Sequence, residues 1–382
     1  IDRDFLIQTL SHLVQIYSTN PSLLPGAAGE AEIATYTQRL LQDIGLTTTA
    51  HEPQPGRISV VGRLAGQGHG RTLLYNAHYD TVGVTGMAEP FSGAIREGKL
   101  YGRGSYDMKG SLAAQIAAAK AIADAGLTLQ GDLLIAAVAD EEHASLGVQS
   151  IIPHYAADAV IVTEPSELEI SLAHKGFIWL EVTTHGKAYH GSRPDLGIDA
   201  NMRMGRFLAK LDRLEQALLQ RPPHPLLGPP SLHAATLQGG TELSVYAAAC
   251  QLGIERRTLP GETAAQVVNE IQPLLDELQA ADETFRADLQ TLLVRDAFEV
   301  SPQAPIVQTL TAVSEQVLGT AAPHIGQKFW TDAAFHAAAG SDTVLIGPKG
   351  HGLHSAEEWV DVESVVQLAE ILAHTAVAYL NP

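Results

Sequence analysis

A single cysteine in 382 residues, Cys250, rules out a disulfide within the chain and leaves histidine and carboxylate as the ligands for any metal site. Basic residues are scarce: 24 Lys and Arg stand against 43 Asp and Glu, for a formal charge of −19. Phosphate binding needs clustered Lys and Arg, so a nucleic-acid surface is excluded. The acidic excess reads as a solvated surface, part of which can neutralise bound metal cations. Long apolar runs are missing too, since LLIAAVA from Leu133 falls far short of the ~20 residues a membrane helix needs. No signal-like segment, internal repeat or low-complexity tract is visible, and the cysteine usage suits a reducing cytosol, so a cytoplasmic location is expected. The glycines of YGRGSYDMKG lack the GxGxxG spacing, which argues against a dinucleotide site.

What is present describes a folded protein: 45% apolar and 18% charged residues, in a chain long enough for two domains. Apolar positions at helical spacing mark helices over Phe5–Tyr17, Glu30–Ile44 and Ser111–Ala125. Short β-like runs lie at Arg57–Leu64, Thr72–Ala77, Asp132–Ala139 and Asp158–Val162. Strands alternating with helices imply an α/β domain, a mostly parallel sheet with helices on both faces. Near Lys175 the texture changes to the order β-α-β-β-α-β, a small two-layer α+β insert, and after Phe298 the α/β pattern returns. The expected organisation is therefore 1–174 and 298–382 for the main domain, interrupted by 175–297.

Chemistry-bearing residues gather at the ends of the expected strands. His78, in NAHYDTVG, follows the apolar run Leu73–Tyr75 and belongs at a strand's C-terminal end, where open α/β sheets bind ligands. Asp80, two residues on, is placed to accept the proton on the far nitrogen of His78 and fix the imidazole. Asp107 sits on a loop that Gly102 and Gly104 allow to bend back. Glu141 and Glu142 end the Asp132 strand, Glu164 follows the Asp158 strand, and His354 lies past DTVLIGP. Adjacent carboxylates at the end of a buried strand are costly unless a positive charge is there. Two divalent cations and a bridging hydroxide would neutralise Asp107, Glu142 and Glu164, and oxygen and imidazole donors suit zinc, cobalt or manganese. Such a pair, about 3.5 to 4 Å apart, would polarise a carbonyl and generate hydroxide near neutral pH. Glu141, left over from the ligand count, is the natural general base.

The ordered set AHYDTV, GRGSYDMKG, ADEEHASLG, TEPS and GLHSAEE resembles the dinuclear zinc peptidase family of acetylornithine deacetylase, succinyl-diaminopimelate desuccinylase, aminoacylase and the glutamate carboxypeptidases. The likeness covers nearly the whole chain, the insert included. It implies that Asp107 bridges two zinc ions, with His78 and Glu164 completing one site and Glu142 and His354 the other, while Glu141 acts as base and Asp80 orients His78. It implies that the insert is a lid and dimerisation domain of a homodimer. His190, in GKAYHGSRPD, would then reach the partner subunit's active site and help hold an oxyanion, and Arg257, in ERRTLPGE, would bind the substrate carboxylate. The chain departs from its relatives at Thr163, Asp199, Ser244 and Ala247, none of them an implied ligand. The activity implied is metal-dependent deacylation of an N-acyl amino acid, acetylornithine deacetylase-like. A carboxypeptidase or dipeptidase is the alternative, and a two-metal phosphoesterase a more distant one.

Overall fold

In a computed structural model, residues 1–381 are described. They form two compact units. The first comprises Ile1–Leu172, Glu299–Ile325 and the chain from Thr331 onward; the second comprises Ala173–Phe298 with Gly326–Trp330.

The first unit is built on a nine-stranded sheet. Its centre is parallel, in the spatial order Leu133–Val138, Leu73–His78, Ala159–Val162, Asp342–Leu345. These strands read as continuous apolar runs because both faces of the sheet are covered: every residue of Leu73–His78 and of Leu133–Val138 is buried. The helices Gly110–Asp124, Pro305–Leu318 and Val362–Leu380 pack against one another and the sheet. Antiparallel strands extend it: Arg57–Leu64 pairs Leu133–Val138, Thr47–Gln54 pairs Arg57–Leu64, and Ile170–His174 pairs Asp342–Leu345. The α/β expectation holds, but several strands escaped the sequence reading. Thr47–Gln54 is an edge strand of mostly exposed polar residues with no apolar alternation, and Ile170–His174 is a short buried run beside the change in texture.

A second, small sheet was also missed, since its strands are two or three residues long. It joins Gly350–His351, Trp359–Asp361, Lys99–Tyr101 and Ala94–Arg96, with Trp359 opposite Tyr101. This pairing brings the His354 loop beside the Gly102–Asp107 loop.

The second unit has the expected β-α-β-β-α-β order: strands Gly176–His185, Ser231–Gly239, Ala249–Thr258 and Arg286–Arg295, with helices Ala200–Leu219 and Ala264–Ala281. The four strands form an antiparallel sheet. Gly326–Trp330, read from the sequence as main-domain chain, belongs with this unit, where Gln327 O accepts the Lys175 N–H at 3.2 Å and Trp330 Nε1 donates to Asp296 O at 3.1 Å. Cys250 is part of the unit's apolar core. Asp199, one of the departures, caps the Ala200–Leu219 helix by accepting from Asn201 and Met202 N–H, a task that asparagine performs equally well.

His336 anchors the short helix Ala333–Ala338 to the sheet of the first unit, its Nε2 lying 3.2 Å from Asn76 Oδ1. Burial lowers its pKa to about 4 from the ordinary 6.5. As pH falls through that window the unfolded chain takes up a proton that the folded one refuses, so His336 contributes stability above the unfolded value and loses it on acidification. Between about pH 7.5 and about pH 4.5 this costs about 2 kcal/mol. Urea midpoints at the two pH values should show a smaller acid loss for His336→Gln than for the native chain.

Candidate metal centre

The carboxyl ends of the parallel strands and two neighbouring loops bring His78, Asp80, Asp107, Glu141, Glu142, Glu164 and His354 together within the first unit. His78 is the last residue of its strand and is 1% exposed. Its Nε2 lies 3.0 Å from Asp107 Oδ1, 3.7 Å from Glu164 Oε1 and 4.0 Å from Glu141 Oε2. The other oxygen of Asp107 faces the second histidine: His354 Nε2 is 3.3 Å from Asp107 Oδ2 and 3.0 Å from Glu142 Oε2. Asp107 thus turns one oxygen to each imidazole, the attitude of a carboxylate that bridges two cations. His78, Glu141 and Glu164 can place one donor atom each within 4.8 Å of one another, and so can His78, Asp107 and Glu142. Glu141 stands as much among these donors as its neighbours do, so distance alone does not separate base from ligand.

The electrostatics fit a bound cation pair. Burial raises the pKa of Glu141, with Glu164 adding to the effect, and raises that of Glu142, with Asp107 adding. Burial likewise pushes Glu164 up to about 8. His354 is held up at about 10 by its hydrogen bonds to Asp107 and Glu142. Burial would lower His78, but Asp107 and the surrounding carboxylates outweigh it and raise the group well above its ordinary value. Asp107 is pressed upward by burial yet ends below the usual range, because both histidines hydrogen-bond it. The protein therefore offers a buried, strongly negative pocket in which protons occupy places that divalent cations fill without strain. Oxygen and imidazole donors with no thiolate suit divalent ions such as zinc, cobalt or manganese.

Asp80 behaves differently from the expected partner of His78. The far nitrogen of His78, Nδ1, meets the main-chain oxygen of Asp80 at 3.0 Å, while the Asp80 carboxylate is 3.6 Å away. That carboxylate instead accepts the N–H groups of Glu141 at 3.1 Å and Glu142 at 3.3 Å. The side chain is drawn to two convergent backbone donors, and the imidazole takes the carbonyl that the strand end leaves free. Thr163, another departure, is buried under Glu164, its hydroxyl accepting from Gln115 Nε2 at 2.8 Å.

Two residues escaped the sequence reading. Glu358 is 1% exposed and accepts from the backbone of Gly104 at 3.1 Å, Tyr106 at 2.9 Å and Asp107 at 3.1 Å, and from Arg103 NH1 at 2.6 Å. It moulds the loop that carries Asp107, and Arg103 ties the same loop to Ser355 O at 2.7 Å, beside His354. Gly104 takes φ +81°, and a Cβ there would stand 2.8 Å from Thr81 Cγ2, so only glycine fits that turn. Asp332, fully buried, lies near enough for its charge to raise both Glu141 and Glu164. An acid beside a tryptophan in SAEEW gives a faint hint of Glu358, and nothing local in the sequence marks Asp332.

His190 and Arg257 belong to the second unit. The His190 ring is exposed on the loop after Gly176–His185, its Nδ1 2.7 Å from Ser192 Oγ. Arg257 is partly exposed, donates from Nε to Glu255 Oε1 at 2.7 Å and lies over the Phe177 ring. Its neighbour Arg256 is fully buried, paired with Glu262 at 2.7 Å and Glu270 at 3.1 Å. Of the other histidines, His174 is buried edge-on against Phe298, His143 is half-exposed, and His351 stacks on Trp359 outside the donor groups.

Residues 74–378 match the peptidase family M20/M25/M40. The chain is 28% identical over 412 residues to N-formyl-4-amino-5-aminomethyl-2-methylpyrimidine deformylase of Bacillus subtilis, covering 99% of this chain and 95% of that protein. It is 28% identical over 385 residues to acetylornithine deacetylase of Myxococcus xanthus, covering 97% and 96%. Among solved structures, aminopeptidase PepT from Bacillus cereus superposes with a TM-score of 0.83 at 18% identity, over all of both chains.

If Glu358 holds the Asp107 loop, Glu358→Gln leaves Arg103 buried without its counter-charge. The expected cost is about 3–5 kcal/mol of stability, read by chemical denaturation, together with weaker metal uptake in a titration of the apoprotein.

Proposed function

Because the chain belongs to peptidase family M20/M25/M40, we propose that it is a metallohydrolase that cleaves the amide bond of an N-acyl amino acid, in the manner of an acetylornithine deacetylase. The observation that supports this most is Asp107, with one oxygen on His78 and the other on His354 and the free acid Glu141 alongside. His78, Asp107 and Glu164 would hold one divalent ion, and Asp107, Glu142 and His354 the other, zinc being the ion expected. The bound pair supplies positive charge that polarises the scissile carbonyl and makes water a nucleophile near neutral pH. Glu141 takes a proton from the attacking water as its oxygen bonds to the carbonyl carbon. The carbon–nitrogen bond then breaks, Glu141 passes that proton to the departing nitrogen, and the proton left on the new carboxyl group moves to the amine, so the products are a carboxylate and an ammonium. Asp80 keeps Glu141 in place through the backbone N–H it accepts.

The second unit is read as lid and homodimer surface, with His190 donating to the oxyanion of a partner's site and Arg257 taking the substrate carboxylate. Glu255 takes only the Nε of Arg257 and Phe177 lies beneath its Cζ, so the terminal nitrogens of the guanidinium are left to a second carboxylate. Deacylation is favoured over peptide cleavage by the two relatives named above, a deformylase and a deacetylase. Among the described residues no helix is long and apolar enough to cross a membrane.

The test is metal analysis followed by a panel of N-acetyl, N-formyl, N-succinyl, dipeptide and phosphate-ester substrates on one preparation. Turnover of N-acetyl amino acids, abolished by a chelator and restored by zinc, is expected. Turnover of dipeptides alone would make the chain a peptidase, and of phosphate esters alone would overturn the reading. Glu141→Gln should lower kcat on the preferred substrate by at least about a hundredfold with metal content intact. His190→Ala and Arg257→Ala should separate, the first lowering kcat and the second raising KM for substrates with a free carboxylate; unchanged constants would show these two side chains to be bystanders.

A further inference from the structure

Behind the metal-facing side chains lies a charged cluster of which the reaction above uses only Asp80. Glu30, Asp80, Asp140 and Asn20 are fully buried and Arg57 is 5% exposed. Arg57 NH2 lies 2.9 Å from Glu30 Oε1 and also bonds Asp140, while Arg57 NH1 donates to Asn20 Oδ1 at 3.0 Å. The Asn20 amide nitrogen then donates both ways, to Asp80 Oδ2 at 2.8 Å and to Asp140 Oδ1 at 3.0 Å.

The two carboxylates it joins govern the same short stretch of chain. Asp80 accepts the N–H groups of Glu141 and Glu142. Asp140 sits in the left-handed region at φ +67°, a conformation that a non-glycine residue holds only with support from its surroundings. Its Oδ2 accepts Leu146 N–H at 3.3 Å and its carbonyl accepts Ser145 N–H at 2.6 Å, closing the turn. Three acids buried with one arginine are an expensive way to obtain stability, since apolar packing of similar volume does as well or better. What the arrangement does deliver is geometry.

We propose that Asn20 and Arg57 are positioning residues that set the place of Glu141 and Glu142 through Asp80 and Asp140. The proposal rests on the reading of Glu141 as base and Glu142 as ligand. Asn20 comes from the segment after the first helix and Arg57 from the neighbouring antiparallel strand, so neither touches the metal-facing atoms. Both act only through the two aspartates.

Asn20→Ala and Arg57→Lys test this in the full chain. Zinc affinity of each apoprotein is measured by competition with a chromophoric chelator, which needs no substrate, and kcat and KM are measured on whichever substrate the native enzyme turns over. Asn20→Ala is expected to bind zinc roughly tenfold more weakly and to lose roughly 10- to 100-fold in kcat, with KM within about twofold. Arg57→Lys, which keeps the buried charge but loses the guanidinium fork, should show the same pattern. Folded variants with native zinc affinity and native kcat overturn the proposal. So does failure of both to fold, since the cluster would then serve only to hold the unit together. If the native chain hydrolyses none of the panel, the functional reading fails while the zinc arm still decides this one.

Discussion

The structure depends on keeping several carboxylates together where water is largely excluded. Asp107, Glu141, Glu142 and Glu164 crowd the carboxyl end of one parallel sheet with His78 and His354 among them. Without compensating positive charge such a group takes up protons, and the raised pKa values of the three glutamates express that pressure. Cations of charge two relieve it, and it is their positive charge that would lower the pKa of a bound water.

Holding the pocket open to metal requires rigid backbone rather than strong pair interactions. Four of the key residues stand on or just past a buried parallel strand: His78 ends one, Glu164 lies two positions beyond another, and Glu141 and Glu142 lie three and four positions beyond a third. Their places follow from the register of that sheet. The other two sit on loops, and there the protein spends buried charge. Glu358 gathers three backbone N–H groups around Asp107, and Arg103 links that loop to the one bearing His354. On the far side, Asp80 and Asp140 do the same for the Glu141 turn. In both cases a carboxylate organises main chain, and the residue that faces the metal is carried along.

The second unit is built on ordinary principles. An antiparallel sheet carries two amphipathic helices, with an apolar core that runs through Leu180, Phe207, Leu252 and Ile271. The charge it buries, Arg256 with Glu262 and Glu270, ties the Ala249–Thr258 strand to the following helix. Adjacent arginines on one strand point to opposite faces. Arg256 is therefore spent on structure, while Arg257 stays partly exposed.

The α/β class, the β-α-β-β-α-β insert and the gathering of acids and histidines past the sheet's strands were legible in the amino-acid order, because each depends on local pattern: apolar runs for buried parallel strands, and acids or histidines just past their ends. The strands Thr47–Gln54 and Ala94–Arg96 were not, being too polar or too short to carry a period. Nor was the choice of partner for Asp80, since a side chain two residues from His78 can reach either the ring or the backbone of a segment sixty positions away. Glu358, Asn20 and Arg57 are ordinary polar residues until the fold buries them. Chemistry-bearing side chains can be read from a chain because their type is their function; the groups that aim them acquire a role only when distant segments meet, and that meeting belongs to the tertiary structure.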